Sequence, residues 1–348
     1  MPLINSPMTR FDFIILGAGA FGLATAAELR LNGHSVAVIA PEGGAASAVA
    51  AGMIAPAFES AIDGLSVEQT QILKVGRILW GDFATRMGIH LQHMPAEWRG
   101  EGAESLAIAL ERNEFEYSYM PDHQWIVTEE DVKLDPEAAL GVLSEGVERI
   151  DALARSVKFE DGVWNVDYGN GSASAPHMVI ATGAAASIEG MPEAVTDLIA
   201  RIVPIRGQIG ITHERFSDHV IRGPGAYIAP VNAGPYEGGS VVGATMEEGV
   251  SELATDAELC TRMMNAAWAL LGHDPVEIEM EWRAGIRGAS PDGMPMAGPV
   301  GEGLHVALAP RRNGWLLAPL VAGQVVAGIE GLTLPEPALD PLRFSPSH

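Results

Sequence analysis

The feature that most constrains this chain is a glycine triplet near its start, Gly17-Ala18-Gly19-Ala20-Phe21-Gly22. It sits between an apolar, β-prone run, Phe11-Asp12-Phe13-Ile14-Ile15-Leu16, and an Ala/Leu-rich helical run from Leu23 to Leu31. Asn32-Gly33 stops that helix, and Ser35-Val36-Ala37-Val38-Ile39 reads as a second strand. Two continuously apolar strands around one helix predict a βαβ unit in a parallel sheet covered on both faces. In that setting the first glycine permits a tight turn, the second lets a pyrophosphate approach the backbone, and the third allows close helix–strand packing. The helix N-terminus adds amide donors and the positive end of a dipole. A dinucleotide site is therefore expected, with a plain glycine-rich turn as the bland alternative. The acid that holds the ribose hydroxyls about twenty residues further on would fall at Ala40, and Glu42, two residues later, is its candidate substitute.

The run from Phe13 to Ala27 also has the outline of a signal peptide, with Arg10 ahead of it and alanines behind. Three glycines at fixed spacing inside the run argue against that reading. No window reaches the uninterrupted apolar length of a spanning helix.

Charge and cysteine content remove several classes of function. Lys and Arg total 21 against 45 Asp and Glu, for a net charge of −24 and a pI of about 4.7. Such a chain repels phosphate backbones and anionic lipid, so neither nucleic acid nor membrane is an expected partner. Cys260 is the single cysteine. It excludes a disulfide framework and any Cys-based zinc or iron–sulfur site, and a reducing cytoplasm fits. The ten histidines show no HxxxH or HExxH spacing, so no metal is expected. Ser47 and Ser290 lack a G-x-S-x-G setting, which leaves a hydrolase triad without support.

Along the chain there is no repeat of fixed period and no low-complexity tract. A small-residue stretch from Ala45 to Ala57 precedes a helix expected over Val67–Arg86, and a further helix is expected over Pro136–Glu145. Val157–Tyr168 reads as a hairpin around Asp161-Gly162, and His177–Gly183 as a buried strand ending in glycine. From Val203 to Ala244 short strands alternate with Gly/Pro turns, the pattern of an antiparallel sheet. A helix over Thr255–Leu271, a strand over Glu277–Trp282, a strand over Leu304–Leu308 and a helix over Trp315–Ile329 complete the order. Three further motifs stand out. Ala50-Ala51-Gly52-Met53-Ile54-Ala55-Pro56 taken alone is a packed small-residue loop. Trp282 to Pro295 reads as a strand entering a Gly/Pro-rich turn with Arg283 and Arg287, either a carboxylate clamp or solvated loop charges. Arg311 to Pro319 is a polar turn feeding the last helix, either an anion site or an ordinary helix start.

Taken together these pieces resemble the glycine oxidase/D-amino-acid oxidase family of FAD-dependent oxidoreductases, in particular bacterial glycine oxidases of thiamine biosynthesis. The matching segments are "GAGAFGLATAAEL", "AAGMIAP", "IVPIRGQ", "AYIAPV", "VVGATMEEG", "AGIRGASPDGMPMAGP" and "RRNGWLLAP", in family order from residue 13 to about 329, whereas residues 88–145 carry almost none of the likeness. The resemblance implies an α/β fold: a discontinuous, Rossmann-like FAD-binding domain of the glutathione-reductase type, with a second α+β substrate domain built on an antiparallel sheet. The expected boundaries are 1–85, 146–202 and 283–348 for the FAD domain, and 86–145 and 203–282 for the substrate domain.

By the same resemblance, Gly17, Gly19, Ala20, Phe21 and Gly22 form the turn at the pyrophosphate of a non-covalently bound FAD. Ser47, Ala51, Gly52 and Met53 follow the second strand, with Met53 beside the flavin ring. Ala154 offers a backbone contact to the adenine, and Thr182 and Gly183 end a second pass against the dinucleotide. Tyr227 and Arg287 match the pair that holds a substrate carboxylate. Arg312, Asn313, Gly314, Trp315 and Leu316 match the helix start under the pyrimidine edge of the flavin, with Arg312 also facing substrate. Gly225, Arg283 and the pair Pro310-Arg311 depart from the family pattern, which points to an altered side-chain pocket. Arg283 or Arg311 in that pocket could admit a second acidic group.

The implied chemistry is oxidation of glycine, sarcosine or a small D-amino acid to the imine and 2-oxo acid, with oxygen reduced to hydrogen peroxide. A dehydrogenase of the same fold passing electrons to a quinone or carrier, and a degenerate FAD-binding subunit, are the alternatives. A homo-oligomer is left open.

Overall fold

The two apolar strands flanking the glycine turn, Phe13–Leu16 and Val36–Ile39, pair in parallel in the computed structural model, which describes residues 9–43, 45–184, 188–333 and 336–344. They lie inside a six-stranded sheet in the order Glu148–Ile150, Val36–Ile39, Phe13–Leu16, His177–Ile180, Leu304–Leu308, Met296–Gly301. The first five strands run parallel and the last is antiparallel. Apart from half-buried His177, every residue of the four inner strands is buried. Covering on both faces explains why they read as unbroken apolar runs rather than alternating ones.

Helices Ala20–Leu31 and Gly314–Ile329 pack on each other and against this sheet. Alternate sheet residues such as Ile14, Leu16, Met178 and Ile180 share a core with Trp164, Val166, Ala173 and Ala175. Those last four belong to a second sheet of four strands, Thr9–Arg10, Ser172–Ala175, Val163–Asp167 and Ser156–Glu160. Each fully buried aliphatic side chain in such a core contributes roughly 1.5–3 kcal/mol. The hairpin expected around Asp161-Gly162 is present, with φ of 52° and 77° at the two turn residues, as a two-residue turn of matching twist requires.

These elements form one compact unit, made of Met1–Ala45, Leu140–Pro204 and Arg287–His348. The other unit comprises Ala46–Ala139 and Ile205–Ile286. Residues 46–85, expected to group with the nucleotide-binding segments, pack in this second unit. Helix Pro56–Ile62 lies against Ala103–Arg112, where Phe58 shares a core with Leu106 and Leu110. Helix Val67–Met87 begins in a capping box: Ser66 Oγ accepts from the Gln69 amide at 3.2 Å, and Gln69 accepts from the Ser66 amide at 3.2 Å.

The main sheet of the second unit runs Glu247–Glu248, Val203–Thr212, Ser240–Gly243, Ala226–Pro230, Val220–Gly223, Ala96–Arg99, Trp125–Thr128, Ser118–Met120, with Glu281–Ala289 also pairing Val203–Thr212. The strand expected over Glu277–Trp282 thus starts four residues late and runs to Ala289. Glu277 and Glu279 are exposed and outside any strand, so their alternation with apolar residues has no partner to act on. Arg283 and Arg287 consequently stand on a strand rather than on a turn. Helix Ala257–Leu271 is capped by Asp256, whose carboxylate accepts from the Glu258 and Leu259 amides, and buries Cys260, Met263 and Ala267 on the sheet. No helix among the described residues is long and apolar enough to cross a membrane.

One buried group of the first unit ties stability to pH. His305 is 3% exposed, and burial, with a smaller push from His177, lowers its imidazole to about 4 from an ordinary 6.5. The native state therefore holds His305 neutral over a range in which the unfolded chain takes up a proton. Stability from this source is complete above about pH 6.5 and is lost as pH falls toward 4, by about 3 kcal/mol. His305→Leu, which cannot titrate, should lose less stability than the parent between about pH 7 and pH 4.5 in denaturant unfolding. Equal losses in the two proteins would show that His305 is protonated without penalty.

Candidate functional site

At the glycine turn, Gly17 has φ of +115°, and its amide donates to the Ile39 carbonyl at 3.0 Å. A Cβ on Gly17 would collide with the Ala181 carbonyl, and one on Gly22 would collide with the Gly17 carbonyl and approach the Ala181 Cβ at 3.2 Å. The first and third glycines therefore let the helix start press onto two strand ends. Gly19, the N-cap of helix Ala20–Leu31, has no side chain with which to cap that end, and no acid occupies the first turn. A helix start of this kind suits an anion.

Three other segments of the same unit meet nearby. Ala181 donates its amide to the Leu16 carbonyl at 2.8 Å, so Thr182 and Gly183 leave the sheet next to the glycine turn. A Cβ on Gly288 would lie 3.2 Å from the Gly183 carbonyl oxygen, which places the end of the arginine strand against the same corner. The amide of Arg311 donates to the Gly288 carbonyl at 2.7 Å, and Ala289 bridges Pro310. Arg287, one residue before Gly288, is thereby anchored beside the turn that opens helix Gly314–Ile329. That turn is strained: Ala309 and Arg311 have φ of 58° and 45°, left-handed values that a non-glycine residue adopts only under constraint. Thr182 Oγ1 and Asn313 Oδ1, both buried at this corner, have no hydrogen-bond partner among the described residues. Buried polar atoms are almost always satisfied, so both point to a polar group supplied from outside the chain.

A profile of the family described as FAD dependent oxidoreductase (DAO) matches residues 12–328. The chain belongs to that family. Among curated relatives it is 30% identical over 376 residues to the bifunctional protein ThiO/ThiG of Nostoc sp., covering 98% of this chain and 56% of the relative. It thus spans little more than half the length of that protein. It is 27% identical to a putative thiamine biosynthesis oxidoreductase ThiO of Rhizobium etli, covering 90% of this chain and 94% of the relative. The fold is that of the crystal structure of glycine oxidase from Geobacillus kaustophilus, with a TM-score of 0.76, 20% identity and coverage of 96% and 98%.

For a member of this FAD-dependent family, the corner just described fits the cofactor: a glycine-capped helix start with no acid in its first turn for phosphates, and the buried Thr182 and Asn313 oxygens for polar groups of the cofactor. Other expected positions are less direct. Ala40 is buried and Glu42 is exposed, its amide donating to Asp151 Oδ1 at 2.9 Å; its carboxylate is the acid next after the second strand. Ala154 is buried in the sheet core between Glu148–Ile150 and Ser156–Glu160.

In the second unit, strand Met53–Ile54 pairs with Val132–Lys133, and Leu134 donates its amide to the Gly52 carbonyl at 3.0 Å. A Cβ on Gly52 would collide with the Leu134 carbonyl, so this glycine is required by packing whatever it binds. Ser47 lies in the turn before it, and Ala51 is buried. Tyr227, half-buried on strand Ala226–Pro230, has its hydroxyl over Gly243 of the neighbouring strand, where any Cβ would displace it.

Arg283 corrects an expectation. Its guanidinium meets Glu281 at 2.5 Å and Glu137 at 2.6 Å, and lies over the Tyr236 ring. A cation held by two carboxylates is not available to admit an acidic substrate group.

The second unit also buries charges that no motif signalled. Lys133, 1% exposed, donates to Asp135 at 2.8 Å and to the Leu134 carbonyl; burial pushes its ammonium below the ordinary range against the pull of Asp135. Arg222, Glu59 and Asp131 are 6%, 6% and 4% exposed, and Arg222 Nη2 donates to Glu59 Oε1 at 2.7 Å. Burial pushes the Asp131 carboxyl up to about 7, although Arg222 and the Ala57 amide draw it down.

Proposed function

We propose that this protein oxidises a small amino acid or amine, with glycine, sarcosine or a small D-amino acid as substrate. The carrying observation is the anchoring of Arg287 at the corner where Thr182-Gly183 and the Arg311–Asn313 turn meet. In the net reaction the α-carbon and its nitrogen give up two electrons and two protons, leaving an imine. Water converts the imine to the 2-oxo acid and ammonia, or methylamine where sarcosine is the substrate, and oxygen takes the two electrons and two protons to become hydrogen peroxide. FAD, when bound, supplies the two-electron acceptor for the carbon–hydrogen bond.

The chain's own part is binding and orientation. Gly17, Gly19, Ala20, Phe21 and Gly22 would hold the pyrophosphate, and Thr182, Gly183 and residues Arg312 to Leu316 the rest of the cofactor within the first unit. Ser47, Ala51, Gly52 and Met53 of the second unit, and the Ala154 backbone, keep the cofactor roles that the likeness to the family gives them. Arg287 and Tyr227 would hold the substrate carboxylate and Arg312 would face the substrate. No side chain is needed as a base when the amine is bound neutral. Attachment of FAD is non-covalent on this reading, since Cys260 is buried in its helix with Sγ 3.6 Å from Gln208 Oε1. The Rhizobium etli relative, named as a putative thiamine biosynthesis oxidoreductase, supports thiamine biosynthesis as the setting for the product.

The test is an anaerobic panel of glycine, sarcosine and D- and L-amino acids, watching the visible flavin band bleach, followed by admission of air and peroxide assay. Bleaching by small amines with one peroxide released per substrate oxidised is expected. Failure of every amine to bleach the flavin would remove the amine-oxidising reading. Bleaching without peroxide in air would instead assign the electrons to a quinone or carrier.

A further inference from the structure

Between strand Met53–Ile54 and strand Ala96–Arg99 lies a small cavity lined by Met53, Ala55, Asp131 and Arg222 among others. Its two charged residues each present one buried atom with no hydrogen-bond partner among the described residues, Asp131 Oδ2 and Arg222 Nη1. One further atom of each is engaged. Asp131 Oδ1 accepts from the Ala57 amide at 3.1 Å, in the first turn of helix Pro56–Ile62, and Arg222 Nη2 donates to Glu59 Oε1 of the same turn. The cavity measures about 10 Å³, about the least room that one water occupies. A water there would donate to Asp131 Oδ2 and accept from Arg222 Nη1, satisfying both atoms.

Asp131 also precedes strand Val132–Lys133, which pairs with the strand that carries Met53. Ile54 pairs with Val132 and Met53 with Lys133, and Ala57, three residues after Ile54, lies in the first turn of helix Pro56–Ile62. The carboxylate thus grips the segment Met53–Ala57 from its helix end, while the adjoining strand grips it from the other.

We propose that Asp131 is a positioning residue for Met53, acting through the Ala57 amide and through a water shared with Arg222. The proposal rests on the reading that Met53 lies beside the flavin. Asp131→Asn keeps an acceptor for Ala57 but turns an amide donor toward the Arg222 donor, so the shared water loses its place. Misplacing a group that contacts the reacting system by a fraction of an ångström lowers turnover substantially; a fall in kcat on the order of tenfold is expected here, with KM moving far less.

The experiment compares wild type, Asp131→Asn, Met53→Ala and the double variant as purified holoenzymes. It measures flavin-band circular dichroism, FAD affinity of the apoprotein, and kcat and KM. Ala96→Val, which fills the cavity and leaves both charges in place, is the companion variant should Asp131→Asn not fold. The expected result is an altered flavin-band dichroism and a lowered kcat in Asp131→Asn and in Ala96→Val. The Asp131→Asn effect should disappear when Met53 is already alanine. Wild-type dichroism and kcat in Asp131→Asn, or additive losses in the double variant, would overturn the positioning role. If Met53→Ala itself leaves dichroism, FAD affinity and kcat unchanged, the placement of Met53 beside the flavin fails first, and the proposal falls with it.

Discussion

Gly17→Ala is expected to abolish FAD binding and to destabilise the protein by at least about 3 kcal/mol. Two separate penalties act on the same atom. The backbone at +115° lies outside the conformations available to an L side chain, and the new methyl would occupy the Ala181 carbonyl oxygen. Neither neighbour can yield cheaply, because Ala181 is held to Leu16 by its amide and Gly17 to Ile39 by its own. Relief would come from moving the turn away from the strand ends, which takes the helix start out of line with the phosphates. Gly33→Ala is the control. It also carries a positive φ, of 88°, but nothing lies within 4 Å of its Cβ. It should cost about 1 kcal/mol and leave FAD binding unchanged. Thermal melts of the apoproteins and fluorescence titration with FAD check both variants. A Gly17→Ala protein with parental melting and FAD affinity would refute the turn's role.

Arg287→Ala is expected to raise the apparent KM for the amine substrate by tens- to several-hundredfold while the bound flavin keeps its spectrum. A charge-assisted bidentate pair to a carboxylate is lost, at a cost on the order of 2–4 kcal/mol. Arg287→Lys keeps the charge without the planar fork and should fall between the two. The contrast with Arg283 sharpens the test. Arg283 stands on the same strand four residues earlier, yet Glu137 and Glu281 hold its guanidinium. Arg283→Ala should shift KM by less than about threefold, as partly exposed ion pairs contribute little. Steady-state kinetics on the three variants decides, and an Arg287→Ala enzyme with parental KM would return that side chain to the strand surface.

The nucleotide-binding half was legible because its signals are local. Glycine spacing, unbroken apolar strands and a helix stop lie within one βαβ stretch, and the structure realises them as a parallel sheet with Gly17 and Gly22 in contact with its strand ends. The ordered motifs around Met53, Tyr227, Arg287 and Arg312 likewise carried the family by residue identity alone. Their placement was another matter. The segment 46–85 follows the second strand closely in sequence, yet Phe58 and its helix find their apolar partners at Leu106 and Leu110 and so fold with the other unit.

Charges show the limit most plainly. Nothing in the residues around Arg283 shows that it pairs with Glu137 across 146 positions, and nothing marks Arg222 and Glu59, 163 positions apart, as a buried pair. A helix start or a glycine turn is written in neighbouring residues because the chain itself enforces the contact. Whether a charge ends in solvent, in an ion pair or against a buried cavity depends on which distant segment packing brings to it. The sequence alone therefore determined the cofactor turn and the family of this protein. Only tertiary packing decided that Arg283 meets Glu137 and Glu281, and that Arg222, Glu59 and Asp131 are buried together near Met53.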